Sequence, residues 1–311
     1  MIQSPELQAA KSRAATMSIV SNTILTLMKL IVGIMMQSVS VISEAVHSGL
    51  DLVAAIIAWI AVRKSGKPAD DEHPFGHGKI ENVAGTIEAI LIFGAAFYII
   101  WEAAHKLLSG KVEIESLGLG ATVMVISAAV NYLVSRHLLT VAIKTDSVAL
   151  EADALHLRAD VYTSVGVLGG LVAIKLTGIA MLDPIIAIVV ALMIIKAAWD
   201  LTKTAFFHVL DVKLPDDEEA VIHAVMDRFA GRFIEYHNLR TRKSGHVRHI
   251  DLHLVVPKLM TVEAGHALAH QITAEIGQGL SHSHTLVHTE PCAGVCQGCA
   301  IGCETSLVHS S

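Results

Sequence analysis

The chain has 311 residues, 53% of them hydrophobic and 17% charged, with a net charge of −6 and a mean hydropathy of +0.56. That balance is too apolar for an ordinary soluble chain of this length and makes the lipid bilayer its natural solvent. The acidic balance and the lack of an aromatic-studded basic patch exclude nucleic acid as a partner.

In chain order, residues 1–14 are polar and mixed in charge, without the basic start, short apolar core and cleavage site of a secretory signal. They are expected to form a cytosolic segment. Apolar stretches long enough to cross a bilayer, roughly 20 helical residues each, follow at 15–37, 40–63, 82–107, 117–136, 148–174 and 179–202. Six spans return the chain to the side on which it starts. Lys11, Arg13, Arg63, Lys64, Lys67, Lys79, Arg136, Lys144 and Lys203 gather on one side of these spans, against Lys106, Lys111 and Lys175 on the other. The excess of basic residues places both termini and the 64–81 loop in the cytosol.

Near residue 207 the composition changes to that of a soluble module, opening with the acidic helix start Leu214-Pro-Asp-Asp-Glu-Glu219. The periodicities predict a helix over 215–230, a strand pair over 233–242 and 247–256 turning at Ser244-Gly245, a helix over 261–277 and a strand over 283–290. This αββαβ order describes a small α+β sandwich. Along the second strand Ile250, Leu252, Leu254 and Val256 share one face, and His249, Asp251 and His253 share the other. The expected division is a segment 1–14, a six-helix transmembrane domain 15–206, an α+β domain 207–292 and a flexible tail 293–311 rich in Gly, Cys and Ser.

Span two contains Glu44-Ala-Val-His47-Ser-Gly-Leu-Asp51 and span five contains Asp153-Ala-Leu-His156-Leu-Arg-Ala-Asp160, the same acid-x-x-His-x-x-x-Asp pattern twice. Spacings of three and four put the polar residues of each segment on one helical face. The two spans run in opposite directions, so the repeat is inverted, as in transporters built around a midplane site. Ionisable groups at helix centres are unfavourable by about 2.5–3.5 kcal/mol each, and a dication held by two imidazoles and two carboxylates would offset this with a complete tetrahedral shell. The competing reading is that these groups only pair among themselves or with Arg158 to hold helices together. Glu44 and Asp153 are candidates for supporting the ligands or for lining an aqueous opening.

These two segments, the loop Pro68-Ala-Asp-Asp-Glu-His73-Pro-Phe-Gly-His77-Gly-Lys79, and His237-Asn-Leu-Arg-Thr-Arg242 in the small domain together resemble the cation diffusion facilitator family, of the bacterial zinc and iron efflux type, up to about Cys292. The resemblance implies a homodimer in the lipid bilayer, six helices per subunit and ferredoxin-like cytosolic domains. It also implies export of Zn2+ or a similar divalent ion in exchange for protons, from a bacterial inner membrane. His47, Asp51, His156 and Asp160 then form the transport site. His at the first position is typical of zinc-preferring members, and two imidazoles suit zinc better than manganese, while Fe2+, Cd2+, Co2+ and Mn2+ remain alternative cargoes.

The resemblance further implies a loop zinc site at Asp70, His73 and His77, which would otherwise be a solvated polar loop. It implies a cluster at His237, His253, His266, His288 and Glu290 in the small domain, and a Lys79–Asp211 ion pair stabilising the dimer. Zinc would thus be both cargo and structural or regulatory ion. Glu290 departs from the usual Asp, which leaves a two-metal cluster open. All four cysteines, Cys292, Cys296, Cys299 and Cys303, crowd at the C-terminal end, where they read as reduced and cytosolic. Four thiolates can close a zinc site, though their spacing matches no zinc ribbon or ferredoxin pattern. An intramembrane metalloenzyme is disfavoured, because a catalytic zinc keeps an open position and no HExxH occurs. A membrane-anchored metal sensor is disfavoured because a mere anchor has no use for ligands inside its spans.

Overall fold

The computed structural model describes residues 5–36, 39–109, 119–177, 179 and 181–293. Its chain forms two compact units, residues 2–209 and the remainder from Leu210 onward.

The first unit contains α1 (Pro5–Met36), α2 (Val39–Ser65), α3 (Lys79–Ser109), α4 (Leu119–Thr145), α5 (Val148–Thr177) and α6 (Leu182–Val209). Among the described residues, five of these are long and apolar enough to cross a membrane. The sixth, α5, carries Glu151, Asp153, Arg158 and Asp160 in its first half. Side chains such as Ile24, Ile31, Leu50, Ile90 and Leu192 point outward from the bundle, as suits a surface solvated by lipid. The interior is built on small residues, with Ala14, Ala15, Ala61, Ala149 and Ala154 in one cluster and Ala89, Ala96, Ala152 and Ala198 in another. Small side chains let helix backbones approach closely where no hydrophobic driving force operates between helices. On that basis α1 packs on α2, α3 on α6 and α4 on α5.

The first helix begins at Pro5, well before the apolar stretch that marks it in the sequence. The reason is Lys11, which is fully buried and donates to Glu81 Oε1 of α3 at 2.9 Å. Ser65 at the end of α2 donates to the same oxygen at 2.6 Å, and Ser147, between α4 and α5, donates to Glu81 Oε2. One carboxylate therefore joins the ends of four helices. Gln8 adds a bond to the Val62 carbonyl at 2.7 Å.

The second unit contains α7 (Asp216–Arg228), β1 (Glu235–Ser244), β2 (Val247–Val256), α8 (Val262–Gly279) and β3 (Ser283–Pro291). Four acids open α7, favoured at a helix N-terminus, and Thr261 Oγ1 caps α8 by accepting from the Ala264 N–H. The sheet order is β1-β2-β3, with β1 antiparallel and β3 parallel to β2. Ile250, Leu252, Leu254 and Val256 pack with Ile222, Met226, Leu268, Ile272 and Ile276 of the helices, and the alternate residues of β2 lie on the opposite face. The first strand starts two residues later than its pattern suggests, because Phe233 turns into the core. The hairpin turn falls at Gly245-His246, where Gly245 adopts φ +58°. A register shift between His237 and Arg240 accompanies Asn238 at φ +52°, a left-handed conformation that Asn tolerates better than most residues.

Two outcomes are expected. Removing one partner of a buried ion pair typically costs about 3–5 kcal/mol, so Glu81→Ala should lower the unfolding temperature in detergent sharply, and adding Lys11→Met should restore part of the loss. The second concerns His249. Burial first, and then the Arg242 guanidinium, hold its imidazole down at about 4, below an unfolded value of about 6.5. The unfolded chain thus takes up a proton that the folded chain refuses. Stability is complete above pH 6.5 and lost as pH falls toward 4. His249 is half-exposed, so screening limits the effect to on the order of 1 kcal/mol. Denaturant titrations of a 210–292 fragment, which contains its own core, should show that slope flattened in His249→Gln.

Candidate metal sites

Helical spacing puts His47 and Asp51 on one face of α2, and His156 and Asp160 on one face of α5. The helices meet antiparallel, so the first residue of one segment faces the last of the other. His47 Nε2 lies 3.7 Å from Asp160 Oδ1, and His156 Nε2 lies 3.1 Å from Asp51 Oδ1. A third contact, His47 Nε2 to Asp51 Oδ1 at 4.0 Å, closes the group. Donor atoms of His47, Asp51 and Asp160 lie within 4.8 Å of one another. The pairs therefore sit at one depth, which span limits alone could not establish. Asp51 and His156 are buried, whereas the His47 side chain is 47% exposed, so the group is reached from the α2 side. Among the described residues Arg158 forms no ion pair with it. The Glu44 side chain lies outside the described residues.

One turn before His156, Asp153 is fully buried, and so is Glu88 of α3. The two carboxylates interact electrostatically, the Ser18 hydroxyl stands beside Asp153, and among the described residues neither Glu88 oxygen has a hydrogen-bond partner. Sequence reasoning passed over Glu88. Its only signal is a single acid seven residues after Glu81 in an otherwise apolar run.

In the loop between α2 and α3, Asp70 gathers two histidines. Its Oδ1 lies 3.3 Å from His73 Nδ1 and its Oδ2 lies 3.3 Å from His77 Nε2. Gly76, at φ +81°, makes the reversal that brings the two rings to 4.5 Å. The His73 backbone N–H donates to Asp70 at 2.7 Å and is the main reason its carboxyl is held below the ordinary value. An ionised carboxylate between two imidazoles is a donor set suited to zinc. Beyond the loop, Lys79 donates to the Val209 carbonyl at 3.3 Å, and Asp211 accepts from Arg242 at 3.4 Å.

In the C-terminal unit, His237 of β1, His253 of β2 and His288 of β3 stand side by side across the sheet. Glu290 reaches all three. Its Oε1 lies 2.8 Å from His253 Nδ1 and 3.5 Å from His288 Nε2, and its Oε2 lies 3.5 Å from His237 Nε2. The longer stem of Glu thus brings both carboxylate oxygens into use. His266 stands on α8 beside His270, ring centroids 6.1 Å apart; the compact cluster is His237, His253 and Glu290. Cys292 is buried as a free thiol, its N–H bonded to the Val256 carbonyl. Cys296, Cys299 and Cys303 lie outside the described residues.

Residues 15–210 match the cation efflux transmembrane domain family, and residues 214–292 match the cytoplasmic domain of cation efflux proteins. A transporter of Synechocystis, sll1263, itself uncharacterized, is 34% identical over 254 residues, 82% of each chain. The cation-efflux pump FieF of Serratia proteamaculans is 31% identical over 294 residues, 94% of this chain and 97% of its own, and that of Yersinia pestis strain Pestoides F is 32% identical over 83% of this chain and 85% of its own. A solved chain of CzrB, a candidate zinc transporter, in its zinc form is 32% identical, covering 26% of this chain and 92% of its own with a TM-score of 0.25. With apolar helices and paired His/Asp segments in one unit and a compact α+β domain in the other, the chain is a member of the cation efflux, or cation diffusion facilitator, family: a multi-pass integral membrane transporter and not an enzyme.

Proposed function

We propose that the chain exports zinc from the cytosol in exchange for protons, carrying the ion on His47, Asp51, His156 and Asp160. The observation that carries this reading is the cross-pairing of two imidazoles with two carboxylates between antiparallel helices inside an apolar bundle. Four such donors suit a tetrahedral zinc shell, and the two imidazoles favour zinc over manganese. The same geometry fits Fe2+, Co2+ or Cd2+ as lesser cargoes. Proton exchange follows chemically, because His and Asp must shed protons to take up metal and regain them when it leaves.

The excess of Lys and Arg on one side supports cytosolic termini, and relatives in Serratia and Yersinia support a bacterial inner membrane. In this reading the subunits pair as a homodimer, steadied by Lys79 and Asp211. Asp70, His73 and His77 capture or order zinc near the cytosolic opening, and the cytosolic domain holds a regulatory zinc. The donor chemistry fits that ion, with three imidazoles around the Glu290 carboxylate and a further contribution assigned to His266. The cysteine tail, with Cys292 at its root, is a further thiolate site.

In reconstituted vesicles loaded with zinc and pH indicators, Asp51→Ala and Asp160→Ala should each cut zinc flux by at least about a hundredfold, beyond the 10–100-fold typical of residues that only orient ligands. Wild-type flux should move protons in the opposite direction. Unchanged zinc flux in both variants would remove the site assignment, and zinc movement without proton counterflow would remove only the exchange.

A further inference from the structure

The outward face of the C-terminal sheet carries not one row of histidines but two. The parallel register pairs His253 with His288 and, four residues earlier on each strand, His249 with His284. Residues two apart on a strand share a face. The row of His253 and His288 contains Glu290 and His237 and belongs to the site already described. The row of His249 and His284 belongs to none of the sites above. Its β1 position is Arg242, and Asp251 lies between the rows on β2, on the same face.

We propose that His249 and His284, with the Asp251 carboxylate, hold a second divalent cation of the zinc class on this face. A tetrahedral zinc ion held by two imidazoles at about 2.0–2.1 Å keeps their ring centroids roughly 5.2 Å apart. The His249 and His284 rings are 5.9 Å apart, against 4.8 Å for His253 and His288 and 5.3 Å for His237 and His253 in the neighbouring row. The second row stands somewhat wider than a tetrahedral ion would hold it, so a modest rotation of the exposed His284 ring is needed to bring the two imidazoles onto one ion. Both residues are open to ions from solution, since His249 is half-buried and His284 exposed.

The Arg242 guanidinium acts on His249 with opposing charge, and it is itself paired with Asp211 Oδ1 at 3.4 Å. Asp251 pairs with Arg240 at 3.5 Å, a contact long enough to yield to a dication. Two imidazoles and one carboxylate leave the remaining positions to water, so this ion is the weaker and more exchangeable of the two on the face. Its existence does not depend on what the membrane unit carries.

The test uses the full-length protein in detergent micelles, dialysed against zinc chloride, with bound zinc counted per chain. His249→Gln/His284→Gln should lose one zinc relative to wild type, and His253→Gln/Glu290→Gln should lose a different one, so that combining them loses both. In parallel, labelling of His284 by diethyl pyrocarbonate, read by mass spectrometry, should be slowed by zinc in the wild type and still slowed in His253→Gln/Glu290→Gln. An unchanged zinc count in His249→Gln/His284→Gln overturns the proposal, and so does zinc-independent labelling of wild-type His284, a measurement that needs no variant to fold. Loss of a zinc in Asp51→Ala alongside either result would leave the transport reading intact.

Discussion

Every ionisable group inside the apolar bundle must find a polar counterpart there, and this single constraint orders the membrane unit. A lone charge in such surroundings is unfavourable by several kcal/mol. The chain answers at three levels along α3 and α5. Glu81 neutralises Lys11 and accepts from Ser65 and Ser147. Two turns further along α3, Glu88 meets Asp153. One turn further along α5 lie His156, Asp51, His47 and Asp160. The first level is saturated and holds helices. The second and third gather carboxylates inside the bundle, and among the described residues Asp160 Oδ2 has no hydrogen-bond partner.

The C-terminal unit solves the opposite problem. Water surrounds a small sheet whose inner face is a conventional apolar core, leaving the outer face free to carry histidines at little cost to folding. Donors inside the membrane unit are buried except for His47 and arranged so that each imidazole faces a carboxylate. Those on the sheet are half-exposed and arranged in rows. Closely matched donors, most of them buried, suit a cargo that must be desolvated and then released by a change of helix packing. Open rows suit ions that exchange with the surrounding solution.

Much of this was legible in the residues. The two His-x-x-x-Asp segments announce themselves because helical spacing converts sequence distance directly into a shared face, and alternation in Ile250, Leu252 and Leu254 assigns the two faces of β2 in the same way. What stayed hidden depends on long-range contact. Nothing local in residues 5–14 says that Lys11 is buried, since its partner is 70 positions away. The equal depth of His47 and Asp160 needed the helix register, and the reach of Glu290 to three histidines needed the parallel pairing of β3. The bulge at Asn238 also escaped, because a left-handed residue within a strand leaves little mark on hydrophobic periodicity.

That parallel pairing has a consequence in time. A parallel partner cannot come from a tight hairpin; α8 must first cross over before β3 can lie beside β2. During synthesis β1, β2 and α8 emerge earlier, with His237, His249 and His253 already present but their companions His284, His288 and Glu290 still inside the ribosome. The nascent domain therefore has scattered imidazoles and no assembled donor set. Were these donors to hold a metal, the set would be complete only in the last step of folding, when β3 docks, so a half-made chain would not compete with finished ones for the ion.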